Sequence, residues 1–240
     1  MISLSIIILM VLSISLFGLL AKIQGRGEFY DIGWCWAIFC VYTGGAIASN
    51  SPYSWLIWTL VLIWSVKLIS VILIRIAYFE HDFRYKDVTR HVLASAFQLV
   101  SAALFVIPAF TQIHNPTPFN STFFFICVFL SLLSLGFNSF ADFQIVKLKL
   151  KKENRFLNSN LWRVSRYPNY TFEILFWFFL AISQINSVLE LVNILTPLYA
   201  YFIIRYFSGI PYQEPRRLSK FGKEYEEYSQ KVPLLFPGLK

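Results

Sequence analysis

Charge is scarce in this chain. Only 14% of its 240 residues are Asp, Glu, Lys or Arg, whereas roughly 25% is usual for a soluble domain. With 57% hydrophobic residues and a mean hydropathy of +0.57, a water-soluble fold would lack the polar surface to cover itself, so the bilayer must solvate most of the chain. Cysteine is scarce too. Cys35, Cys40 and Cys127 all lie inside apolar runs without metal-ligand spacing, which leaves packing as their role. The three histidines, His81, His91 and His114, form no ligand pattern, and the Glu80-His81-Asp82 cluster reads as a solvated turn, so no metal is expected. No Ser-His-Asp arrangement and no Gly-rich phosphate loop is present, and "YTGGA" reads as close helix packing. The first apolar run lacks a basic leader and a small-residue cleavage site, which makes it a retained helix rather than a signal peptide. No soluble domain, low-complexity tract or long repeat interrupts the chain, which reads as one integral-membrane domain over 1–240 with an amphipathic tail at about 208–240.

What the chain has is long apolar runs. Segments near the ~20 residues that a membrane crossing needs fall at about 2–21, 32–49, 55–79, 92–113, 121–142, 172–186 and 189–207. The last two are parted only by "INS" and form a tight hairpin. The predicted fold is all-α, a polytopic membrane bundle of about seven transmembrane helices. The net charge of +8 is explained by topology. Lys22 and Arg26 follow the first run, Arg75, Arg84, Lys86 and Arg90 the third, and a basic stretch from Lys147 to Arg166 the fifth, whereas "NSPYS" and "HNPTPFN" contain no Lys or Arg. By the positive-inside rule the N-terminus is outside and the C-terminus cytoplasmic. Nucleic acid is not needed to account for the charge.

Polar residues inside or beside such runs are functional candidates, because burying them costs several kcal/mol unless they are paired or hydrated. The fifth run ends with Asn138 and Asp142, and the sixth opens with Asn169 and Glu173. Each pair is spaced by four and so shares a helix face. Read singly, the first is a solvated helix end and the second an Asn169 cap with Glu173 at the positive end of a helix dipole. Read together across a basic loop, they offer amides, carboxylates and cations, the groups that grip a nucleotide cofactor. Tyr167 and Tyr170 add flat rings. Lys67 lies mid-way along the third run, where it serves either a substrate carbonyl or a structural pair with a buried acid. Asp31 stands at the start of the second. In the tail, Leu218, Phe221, Tyr225 and Tyr228 recur at helical spacing and are expected to dock one face, with Arg216, Arg217, Lys220 and Lys223 at its rim. Such a helix lies on the membrane surface or forms a lid over the basic pocket.

"ADFQ", "LWRVSRYPNYTFE" and "FGKEYEEYSQKVPLLFP", with "DIGW" and "WSVKL…RIAYFEHDFRY" before them, resemble a bacterial membrane protein family related to steroid 5-alpha-reductases. The resemblance runs from about residue 26 onward and implies a seven-helix reductase that passes hydride from NADPH to a carbon–carbon double bond conjugated to a carbonyl. It implies cofactor contacts for Asn138, Asp142, Asn169 and Glu173, phosphate contacts for Lys149 and Lys147, and a cofactor contact for Tyr228. Arg163, Arg166, Tyr170 and Arg217 complete the expected cofactor set, and Lys67 or Asp31 would polarise or protonate the carbonyl oxygen. The tail is also similar to that of isoprenylcysteine carboxyl methyltransferases, which implies S-adenosylmethionine as the alternative cofactor. Tyr167 stands where both patterns have histidine, whereas Asn138, Asp142, Asn169 and Glu173 belong to the reductase pattern, which is therefore favoured. The glutamate–tyrosine pair of the steroid enzymes has no counterpart here, so the substrate is expected to be a hydrophobic enone or lipid rather than a steroid. A non-enzymatic lipid-binding protein is the third reading. The resemblance favours the bacterial inner membrane over the endoplasmic reticulum.

Overall fold

A computed structural model describes residues 2–78 and 91–236. The 79–90 stretch, with Glu80, His81, Asp82, Arg84, Lys86 and Arg90, lies outside the described residues, as does 237–240. The fold is all-helical, 83% helix with no strand among the described residues. In chain order it runs α1 (Ile2–Gln24), α2 (Glu28–Ser49), α3 (Pro52–Tyr78), α4 (His91–Phe105), α5 (Ile107–His114), α6 (Ser121–Leu150), α7 (Pro168–Ile182), α8 (Leu195–Phe202) and α9 (Ile210–Lys231). A 3-10 turn precedes α7 (Asn160–Arg163), another precedes α8 (Val188–Ile194), and a π-helical turn follows α8 (Ile203–Phe207).

Six stretches among the described residues are long and apolar enough to cross a membrane: Ile7–Gln24, Glu28–Ser49, Pro52–Tyr78, Leu93–His114, Ser121–Leu150 and the broken run Val188–Lys231. The protein is an integral membrane protein. α7 stands apart because its 15 residues reach about 22 Å at ~1.5 Å per residue, short of a ~30 Å hydrocarbon core. Side chains of α1 such as Leu12, Leu16, Leu19 and Ile23 are each more than half exposed, on a stripe that only lipid can cover. Hydroxyls within the spans turn back onto the preceding turn: Ser13, Thr59, Ser70 and Ser139 donate to carbonyls four residues earlier at 2.7–2.8 Å. Their polarity is thereby satisfied inside the helix, as an apolar solvent demands.

The chain forms two compact units. The first, Met1–Val128 with Leu180–Thr196, is centred on α2, which packs against α1, α3, α4 and α5. Its inner face is built from Cys35, Ala37, Ile38, Val41, Tyr42 and Ala46, all buried. Cys40 and Cys127 are buried as well, in keeping with packing. Gly33 lets α1 approach, since a Cβ there would lie 2.5 Å from Phe17 Cβ. Both atoms are tied to helix backbones, so neither can swing aside. A Gly33→Leu variant is therefore expected to lose about 1–3 kcal/mol through overpacking, read as a lower melting temperature of the purified protein. The expected 92–113 helix is interrupted. α4 stops at Phe105 and α5 begins at Ile107, because Pro108 cannot donate to the helical ladder.

The second unit, Phe129–Phe179 with Pro197–Lys240, is organised around Phe156, which is buried against the rings of Phe221, Tyr225 and Tyr228 of α9 at 5.1–5.4 Å. Of the four expected docking residues, Leu218 is a correction: it is 48% exposed. Gly222 adopts φ +56° and splits α9 with a kink, across which Phe221, Tyr225 and Tyr228 still meet Phe156. The far end of the chain folds back as a strap. Pro233, Leu234 and Leu235 offer their carbonyls to Arg166 N–H (2.9 Å), Ser165 Oγ (3.3 Å) and Thr171 Oγ1 (3.0 Å).

Candidate functional site

The residues from 165 to 173 begin α7, and Pro168 at its first position suits a helix start, having no N–H to leave unpaired. Asn169 is thus inside the helix, which removes its reading as a cap. Its side chain does other work. Asn169 Nδ2 donates to Asp142 Oδ1 at 3.1 Å, and Asn138 Nδ2 donates to the Asn169 carbonyl at 2.6 Å. The two Asn-acid pairs therefore meet: Asn138 and Asp142 on one face of α6 hold Asn169 between them. Asn138 is buried, and Asp142, Asn169 and Tyr170 are partly exposed. Asn169 Oδ1 is buried without a partner. Glu173, one turn on, accepts a 3.2 Å hydrogen bond from Trp177 Nε1.

The expected cations divide into two sets. Lys147, Lys149 and Arg163 are exposed. Arg166 is not available in this way: its guanidinium pairs with Glu214 of α9 and is 13% exposed, although its Nε is buried without a partner. Arg217 is a correction to the expected rim. Its guanidinium lies over the rings of Tyr167 at 4.6 Å and Trp162 at 5.5 Å, a cation–π arrangement, while Arg216, Lys220 and Lys223 stay exposed. Tyr228 donates its hydroxyl to the Trp162 carbonyl at 2.5 Å, so it fastens α9 to the loop before α7.

Tyr167 and Tyr170 stack at 5.5 Å with an 11° tilt. Tyr167 is 1% exposed and presents no open face to a ligand; Tyr170 alone can. The ring of Tyr170 also rests on Gly209, where a Cβ would come within 3.0 Å of it. Burial pushes the Tyr167 phenol up from its ordinary value, with Arg217 opposing that shift. The hydroxyl has no hydrogen bond of good geometry, although Glu214, which accepts from Arg166 and from Tyr225 (2.6 Å), is near enough to add to the upward shift. Since the folded state keeps this phenol neutral, its contribution is intact below about pH 10, the unfolded value, and is lost as pH rises beyond it. A Tyr167→Phe variant removes both the unsatisfied hydroxyl and this alkaline term. It is expected to melt no lower than the native chain at pH 7 and to lose stability less steeply above about pH 10; a drop of several degrees at pH 7 would mean that the hydroxyl is paired.

Lys67 on α3 and Asp31 on α2 lie in the first unit, whereas all the expected cofactor residues lie in the second. Both are partly exposed, and Asp31 Oδ1 accepts a 3.3 Å hydrogen bond from Gln98 Nε2. No group of His, Cys, Asp and Glu that could hold a metal occurs among the described residues.

Sequence reading missed the supports of the site: Glu214 on α9, Trp162, whose indole donates to Gln144 Oε1 at 2.9 Å, and Ser165 and Thr171 under the strap. Spacing could not have found the partners of Arg166, because Glu214 is 48 residues away in sequence. Gln144 could have been noticed, being two residues beyond Asp142.

Comparison with curated proteins and with solved structures gives no match. A family profile described as a protein of unknown function, DUF1295, matches residues 17–232. The match spans nearly the whole chain and includes every residue of the site just described, so the chain belongs to the DUF1295 family, a family related to steroid 5-alpha-reductase-like proteins.

Proposed function

We propose that this protein is a membrane-embedded, NADPH-dependent reductase of a carbon–carbon double bond in a hydrophobic enone or lipid. It crosses the bacterial inner membrane seven times, α7 and the 188–207 stretch each counting once, with its N-terminus outside and its C-terminus in the cytoplasm. The observation that carries the reading is the joining of Asn138, Asn169 and Asp142 in one hydrogen-bonded chain, with the Asn169 oxygen buried and unpartnered.

This donor set fits a dinucleotide. Asp142 and Glu173 suit ribose hydroxyls, Tyr170 suits a flat ring, and Lys147, Lys149 and Arg163 are the exposed cations for phosphate. Arg166, Arg217 and Tyr228 support the site rather than touch the cofactor, since Glu214, Tyr167 and Trp162 already engage them. When bound, NADPH supplies hydride to the conjugated double bond. Lys67 and Asp31 are the polar groups expected to serve a carbonyl oxygen; unchanged turnover in Lys67→Met would remove Lys67 from that role.

The test is a melting-temperature panel of purified protein with NADPH, NADH, S-adenosylmethionine and S-adenosylhomocysteine, since a ligand that binds only the folded state raises its stability. NADPH is expected to raise the melting temperature, and Asp142→Asn to weaken its binding at least tenfold, about 1.4 kcal/mol. A response to S-adenosylmethionine alone would make the chain a methyltransferase, and no response to any nucleotide would leave a lipid-binding protein.

A further inference from the structure

A second polar assembly lies wholly within the first unit, shares no residue with the proposed reductase site and is independent of that reading. It is built from the end of α5, the 115–120 connection and the residues that follow α7. Glu190 is 4% exposed, yet both its oxygens are occupied, Oε1 by the Asn115 amide and Oε2 by the Asn186 N–H at 2.5 Å. Asn186 Oδ1 accepts from Phe119 N–H at 2.7 Å. Asn193, fully buried, donates to Thr111 Oγ1 at 3.1 Å and to the Gln184 carbonyl at 3.3 Å. Buried polar groups are ordinarily paired in this way.

Two atoms break the pattern. Gln112 Oε1 and Gln184 Oε1 are both buried without a partner, on residues that are 4% and 6% exposed. Both residues line one small cavity together with Tyr53, Asn115, Ser183 and Asn186, and it has room for the centre of one water-sized sphere, about 10 Å³. A turned-over amide would not resolve the matter at Gln184, whose Nε2 already donates to the Leu180 carbonyl at 3.1 Å.

The occupant can be argued from chemistry. Two orphaned acceptors call for two donors, and one water molecule supplies two. Room of this size is enough for one water. None of the lining residues is charged, and the neighbouring Glu190 already has its two oxygens engaged by Asn115 and Asn186, so a bare cation there would have no carboxylate ligand. We propose that a resident buried water hydrogen-bonds Gln112 Oε1 and Gln184 Oε1 and ties α5 to the turn that follows α7.

The experiment is a structure of the full chain in lipid, at a resolution that shows ordered water. Density is expected about 2.7–3.2 Å from both amide oxygens. Direct pairing of the two side chains with no density between them would overturn the assignment. In the double variant Gln112→Met with Gln184→Met, which removes both acceptors at nearly constant volume, the density is expected to vanish; its persistence would show that other groups define the site. Melting in sodium chloride and in choline chloride at equal ionic strength is expected to coincide. A sodium-specific rise would overturn the water in favour of a cation.

Discussion

Replacing Glu214 with alanine is expected to lower the melting temperature more than any other single substitution proposed for this protein. Glu214 bonds Arg166 and Tyr225 at once, and both members of the ion pair are mostly covered, at 13% and 24% side-chain exposure. Removing the acid leaves the Arg166 charge buried and unpaired, for which about 3–5 kcal/mol is typical. In a chain of this length that corresponds to roughly 6–20 °C. The loss comes from the stranded charge rather than from the pair itself. The double variant Arg166→Met with Glu214→Met should therefore melt higher than Glu214→Ala alone. If the double variant melts lower, the pair is net stabilising and the explanation fails.

The second large effect concerns the C-terminal strap. A chain ending at Val232 loses the 4% exposed Leu235 and three hydrogen bonds onto Ser165, Arg166 and Thr171. Burial of one leucine and three modest hydrogen bonds together amount to about 3–7 kcal/mol. The damage should be local, because every bond lands on the segment that introduces α7. The Arg166 amide, whose N–H is held by Pro233 at 2.9 Å, is expected to lose its protection from hydrogen exchange. The NADPH-induced rise in melting temperature should vanish with it, since Asn169 and Tyr170 are carried by the same segment. Retained protection at Arg166 in the shortened chain would show that the loop holds itself.

Much of this was legible in the sequence because the physics behind it is local. The apolar runs gave the helices, since length and hydropathy suffice for that. The fourfold spacing of Asn138 with Asp142 placed both on one face of α6, as the bonds to Asn169 require. The interruption at Val106 was not read, although Pro108 signalled it. Helical periodicity alone groups Leu218 with Phe221, Tyr225 and Tyr228, but α9 is kinked at Gly222 and Leu218 stays 48% exposed. Arg166 and Arg217 were read as ligand-binding cations because a sequence displays charge and not its partner. Their engagement by Glu214, Tyr167 and Trp162 is set by long-range packing.

The way the first unit is assembled bears on its synthesis. Its polar assembly joins Asn115 to Glu190 and Thr111 to Asn193 across 75 and 82 residues. At ~5–20 residues per second a ribosome takes about 4–16 s to make the intervening chain. For that interval the amides and hydroxyls at the end of α5 must wait in or beside the membrane without their partners. Nascent chains arrested before residue 180 therefore present an incomplete bundle with unsatisfied polar groups.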